Sequence, residues 1–141
     1  LLKRAPEHDL IITAESKGIP LVYEMAAQEG VNDYVVARKA PKLYMKNVVS
    51  TQVQSITTAN VQVLHLGEDD AQKLKGKRVL IVDDVISTGE SLRAVEHLVE
   101  QVGGHIVGRM AVLAEGDAQN RTDIVYLEKL PLFHADGSAI V

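Results

Sequence analysis

The stretch KRVLIVDD, residues 77 to 84, constrains this chain more than any other. Its apolar run from Val79 to Val82 has neither the alternation of a half-buried strand nor the length of a helix, so both of its faces must be covered. That predicts a central strand of a parallel sheet. The run ends on two adjacent carboxylates, Asp83 and Asp84, and unpaired burial of such charges is costly. They therefore belong at the carboxyl end of the strand, where water and ligands reach them and where they can accept hydroxyl hydrogen bonds or face a metal. Ser87, Thr88, Gly89, Glu90 and Ser91 follow as a small turn opening a helix, so several backbone N–H groups and the positive end of a helix converge on one point. A phosphate fits that point. The bland alternative is an ordinary helix cap by Ser87 or Thr88, with Glu90 in electrostatic support.

The flanking segments alternate around this strand. DLIITAES (9 to 16) is a short buried strand running into a loop at Lys17-Gly18, and IPLVYEMAAQEG (19 to 30) has helical spacing, with Pro20 in its first turn and Gly30 as its stop. DYVVARK (33 to 39) reads as a second strand ending in two cations, and residues 40 to 66 read as a long loop plus a β-hairpin rich in β-branched residues. Residues 67 to 77 are polar and charged without a period. Beyond Gly89, the residues Leu92, Val95, Leu98, Val99 and Val102 form a helical stripe stopped by Gly103-Gly104, and HIVGRMAVLAE (105 to 115) and DIVYLEKLPLF (123 to 133) supply two more strands. The expected fold is α/β, an open, mostly parallel twisted sheet with helices on both faces, in a single domain over residues 1 to 141. In such sheets ligands bind at the carboxyl ends of the strands, where the strand order reverses.

Composition narrows the function classes. A formal net charge of -4 argues against a general basic field for nucleic acid or anionic membrane, so any anion site is local. There is no cysteine and no apolar run near the ~18 residues of a membrane span, and a cytoplasmic setting is expected. His65, His97 and His105 lack metal-ligand spacing, so no protein-built metal site is expected. The chain opens on Leu1-Leu2-Lys3-Arg4 without an initiator methionine, and further native residues are expected before it.

The string VLIVDDVISTGES (79 to 91) resembles the phosphoribosyl pyrophosphate (PRPP) motif of the type I phosphoribosyltransferases. By that resemblance Asp83 and Asp84 take the ribose hydroxyls of PRPP, and Ser87, Thr88, Gly89, Glu90 and Ser91 cradle its 5'-phosphate. TAESKG (13 to 18) is similar to the pyrophosphate loop of the adenine-specific members, usually Glu-Ser-Arg-Gly, which implies pyrophosphate contacts from Ser16, Lys17 and Gly18, with Lys17 in place of the arginine. ARKAPKLYM (37 to 45) resembles their Arg-Lys pair, making Arg38, Lys39 and Lys42 further pyrophosphate candidates. Lys42 to about Leu66 takes the place of a mobile lid with Tyr44 and Lys46 as contacts, and Lys46 joins the acid pair as a catalytic candidate.

The implied activity moves the phosphoribosyl group of PRPP to a nitrogenous base with release of pyrophosphate, as in purine salvage. Mg²⁺ is implied, bound mainly through PRPP, and so is a homodimer. The base is less defined. QVQSITTANVQV (52 to 63) lacks the Glu-Tyr-Gly-like string of adenine enzymes, whereas DIVYLEKLPLF has some likeness to the hypoxanthine, guanine and xanthine enzymes and makes Phe133 a candidate base platform. A purine, with adenine favoured, is the first expectation. Hypoxanthine, guanine, xanthine or orotate transfer, or a PRPP-sensing regulator of the same fold, are the alternatives.

Overall fold

The structure is a computed structural model that describes residues 1–54 and 61–140. Its centre is a five-stranded sheet of order β2-β1-β5-β6-β7, built from β1 (Leu10–Ala14), β2 (Val35–Ala37), β5 (Arg78–Ile86), β6 (His105–Glu115) and β7 (Val125–Leu130). Every pairing within it is parallel. The expected central strand is β5, in the middle of the order. From β1 the chain crosses through α1 (Ile19–Glu29) to β2 on one side, and from β5 it crosses through α3 (Glu90–Gln101) to β6 on the other. Crossovers of one hand running in opposite directions place their helices on opposite faces. The strand order therefore reverses between β1 and β5, and the carboxyl ends of those two strands meet at the reversal.

Side-chain packing follows this division. Val79 and Ile81 of β5 share one core with Leu92, Val95, Leu98 and Val99 of α3. Leu80 and Val82, pointing the other way, share a second core with Val22 and Met25 of α1 and with Met110 of β6. Each buried aliphatic side chain of this size contributes roughly 1.5–3 kcal/mol relative to exposure, so the apolar run of β5 ties both layers together. The amino-terminal Leu1, Leu2 and Ala5 pack against the α1 side.

Three expectations need correction. Residues 67 to 77 hold a short helix, α2 (Glu68–Leu74), with three acids in its first turn and Lys73 in its last. Its only buried residue is Leu74, so its signature is charge matched to the helix dipole and carries no apolar period. The strand expected over 123 to 133 breaks at Pro131 into β7 and a separate two-residue strand, β8 (Leu132–Phe133), which pairs antiparallel with β9 (Ala139–Ile140). The β-hairpin is present as β3 (Val49–Gln54) and β4 (Val61–Leu66), antiparallel, but its root is not a lid. Leu64 and Leu66 are 2% and 0% exposed and lie in the same core as α3, while the Arg38 and His65 backbones hydrogen bond to each other at 2.9 and 2.8 Å. Any cover must begin beyond these anchors. The expected turn at residues 57 to 60 lies outside the described residues. Among the described residues no helix is long and apolar enough to cross a membrane.

Candidate active site

Asp83 and Asp84 stand near the carboxyl end of β5, both half-buried. The backbone N–H of Asp84 donates to Asp83 Oδ1 at 2.8 Å. Loss of hydration, followed by the hydrogen bond between the two side chains, pushes the Asp83 carboxyl from 3.8 up to about 7, against the opposing pull of the Lys39 ammonium. Asp83 thus holds its proton to a higher pH than an ordinary carboxyl, and a cation or a hydroxyl donor that stabilises the anion favours its release.

The following turn bears on the choice between cap and cradle. The N-cap of α3 is Gly89, at φ 84°, and it has no side-chain capping bond. A left-handed φ of this kind suits glycine and disfavours residues with a Cβ. The Ser87 hydroxyl donates to Glu115 Oε1 at 2.9 Å and makes no capping bond at this helix end. Thr88 Oγ1 accepts only a long 3.4 Å bond from the Glu90 N–H. The first-turn amides of α3, which lack intrahelical partners, border a hollow of about 110 Å³ lined by Asp83 and by residues from Val85 to Leu92. Glu115, which sequence reasoning passed over, fixes the Ser87 hydroxyl. No local motif marks Glu115; only the pairing of β6 with β5 brings it there.

The loop after β1 closes the site from the other side of the strand-order reversal. Gly18 is buried, and a Cβ placed on it would run into Thr13 Oγ1 and come within 3.5 Å of Asp83 Oδ1. Thr13 is itself fully buried. Ser16 and Lys17 are exposed at the loop, whose Glu15–Ser16 peptide is cis. Arg38 and Lys42 are drawn to it by a single carboxylate, with Arg38 Nη1 at 3.6 Å and Lys42 Nζ at 3.7 Å from Glu15 Oε1. Glu15 was legible in the Glu-Ser-Arg-Gly resemblance but given no role there; it arranges the cations. Gly18→Ala is expected to raise the KM for PRPP about tenfold, roughly 1.4 kcal/mol, by displacing this loop from Asp83, and steady-state kinetics over a PRPP series checks it. An unchanged KM would mean that the loop takes no part in binding.

The structure thus gathers Asp83, Asp84, Gly18, Lys39, the Glu15-tethered Arg38 and Lys42, and the 87–91 turn at one end of the sheet. Lys46 and Phe133 are not among the residues lining the cradle. Lys46 is exposed on the loop before β3 and borders a separate hollow with Tyr44, Gly67, Glu68 and Lys73. Phe133 is 57% exposed on β8. Among the described residues no group of three or more His, Cys, Asp or Glu side chains could hold a metal.

A parallel α/β sheet with an acid pair and an uncapped helix end at its strand-order reversal defines an anion-binding site of the nucleotide-handling kind. The family profile described as phosphoribosyl transferase domain matches residues 4–135, and the chain belongs to that family. It is 35% identical over 123 residues to the adenine phosphoribosyltransferase of Oenococcus oeni, covering 87% of this chain and 67% of that one. It is 38% identical over 109 residues to the adenine phosphoribosyltransferase of Thermotoga petrophila, covering 77% of this chain and 60% of the relative. The crystal structure of adenine phosphoribosyltransferase from Thermoanaerobacter pseudethanolicus superposes with a TM-score of 0.75 at 27% identity, over 90% of this chain and 73% of that one. The chain therefore spans about 60 to 67% of the length of these two curated relatives.

Proposed function

We propose that the protein transfers the phosphoribosyl group of PRPP to a purine base, adenine by preference, and releases pyrophosphate. The observation that carries this reading is the uncapped amino terminus of α3 set directly beyond an acid pair. One end of that arrangement suits a phosphate and the other a pair of ribose hydroxyls, a spacing that a simple cap does not need. The relatives named for adenine support the choice of base, and the hairpin without a carboxylate leaves the other purines as competitors to be tested.

The residues divide the work by charge. Asp83 and Asp84 accept the ribose hydroxyls and orient the sugar. The amides of the 87–91 turn hold the 5'-phosphate. Lys17, Lys39, Arg38 and Lys42 face the pyrophosphate, whose negative charge grows as the C1'–O bond breaks. The electron pair of that bond leaves with pyrophosphate, a ring nitrogen of the base forms the new bond to C1', and its proton is lost to solvent or a nearby base. The sugar passes through an oxocarbenium-like state, and preorganised cations at the leaving group stabilise the separation of charge. These cations favour an enzyme over a sensor of PRPP, because they serve the leaving group and not the ribose phosphate alone.

Mg²⁺ fits the donor set. Among the described residues there are two adjacent carboxylates and no larger cluster, and Mg²⁺ is typically held by one or two carboxylates together with substrate phosphates. Asp83 and Asp84 would hold it through the sugar hydroxyls, and the ion would supply charge neutralisation at the pyrophosphate. On the family resemblance the same reading takes in a homodimer acting in the cytoplasm. A panel of bases incubated with PRPP and Mg²⁺, followed by pyrophosphate release, tests it. Adenine is expected to give the fastest release, and excess chelator is expected to lower the rate at least about tenfold, some 1.4 kcal/mol of barrier. Tight PRPP binding without pyrophosphate release from any base would identify a regulator instead.

A further inference from the structure

The geometry points to Arg121 as an additional ligand of the phosphate held by the 87–91 turn, presented to it by Asp123. This rests on the reading just given and adds to the cradle a side chain that lies outside its sequence motif. Arg121 follows the short 3₁₀ turn Gly116–Asn120 in the connection from β6 to β7, thirty or so residues beyond the turn it would serve. Its Nε and Nη2 are both committed to Asp123, at 2.8 and 2.7 Å. This bidentate contact fixes the plane of the guanidinium and leaves Nη1 on its far edge. That Nη1 lies over Gly89, where a Cβ would meet it at 2.8 Å.

A cation held there runs against the electrostatics of the helix end. Gly89 is the N-cap of α3 and makes no side-chain capping bond, so Nη1 sits beside the positive end of a twelve-residue helix. Cations are disfavoured at that end of a helix and anions favoured. Arg121 is nevertheless held in place by Asp123 at the edge of the turn, next to the residues that line the hollow and not among them, and an anion on the turn that reaches this edge makes the amides and the guanidinium mutually compatible. Charge-assisted contacts from an arginine edge add directional donors to the amide cradle. The structural alternative is that the Arg121 and Asp123 pair is a strut that happens to cover a glycine, in which case it would act on stability and not on affinity.

Titration calorimetry with ribose 5-phosphate and, separately, with inorganic pyrophosphate distinguishes these, using wild type, Arg121→Gln, Arg121→Lys and Asp123→Asn. Arg121→Gln is expected to weaken ribose 5-phosphate binding about tenfold, equivalent to roughly 1.4 kcal/mol, while pyrophosphate affinity stays within twofold and the melting temperature of the free protein does not fall. Arg121→Lys, which keeps the charge without the fork, should recover part of the loss, and Asp123→Asn should lose about threefold because the guanidinium is no longer aimed. Ribose 5-phosphate affinity equal to wild type in Arg121→Gln overturns the inference while leaving the PRPP site intact. Parallel loss of both ligands with a lowered melting temperature overturns it in favour of the strut. Failure of the wild-type protein to bind ribose 5-phosphate at all removes the proposed site and this inference with it.

Discussion

Replacing Asp83 and Asp84 together with asparagine is expected to weaken PRPP binding about a hundredfold, on the order of 2.7 kcal/mol, while making the free protein more stable near pH 8. The two effects share one cause. Two charge-assisted hydrogen bonds to sugar hydroxyls are lost, each of a kind that contributes about 1.5–3 kcal/mol. At the same time a carboxylate whose ionisation the fold resists is removed. The folded-state pKa of Asp83 is raised from 3.8 to about 7, so between those values the folded protein retains a proton that the unfolded chain has released. Stability from this group is therefore fully present below about pH 4, declines as pH rises through that window, and is at its lowest above pH 7. The melting temperature of the double variant relative to wild type should accordingly grow between pH 4 and 7 and then level off, by about 3 °C for each kcal/mol in a domain of this size. Calorimetric PRPP titration and melting curves across pH check both halves. PRPP affinity within threefold of wild type would sink the assignment of the acid pair.

The segment from Lys42 to Leu66 should divide into two parts under mutation. Leu66→Ala removes a fully buried side chain from the core shared with α3, and such truncations cost about 2–5 kcal/mol. The variant is expected to lose at least 2 kcal/mol in urea unfolding, with PRPP affinity falling as α3 loosens. Lys46→Ala touches an exposed side chain and should leave the unfolding midpoint unchanged. If Lys46 closes on the reacting centre, its loss is felt mainly in the transition state, lowering kcat about tenfold, roughly 1.4 kcal/mol, with PRPP affinity within a few-fold. Equal kcat values for Lys46→Ala and wild type would confine Lys46 to the surface. A Leu66→Ala protein as stable as wild type would contradict the anchoring of the hairpin root.

Much of this architecture is legible in the residues because the strands of a doubly covered parallel sheet are continuous apolar runs. Val79 to Val82 declares its central place by lacking any polar alternate, and Asp83 marks where it stops. The 87–91 turn is readable in type, yet its capping is not, since only the structure shows that the N-cap is Gly89 and that Ser87 is engaged by Glu115. Glu115 and Arg121 were invisible for the same reason: each reaches the turn through pairing or packing between segments about thirty residues apart. Helix α2 escaped notice because it buries a single residue, Leu74. The hairpin was recognised as β-structure, but alternation along Val61 to Leu66 cannot reveal that Leu64 and Leu66 are core, a fact set by the arrival of α3 beneath them.

Rooting the β3–β4 hairpin in the core beside α3 has a consequence for how such a protein can diversify. Leu64, Leu66 and the Arg38–His65 bridge hold the base of the hairpin to the layer that carries α3, so divergence at that base is limited to changes that keep the volume on which α3 rests.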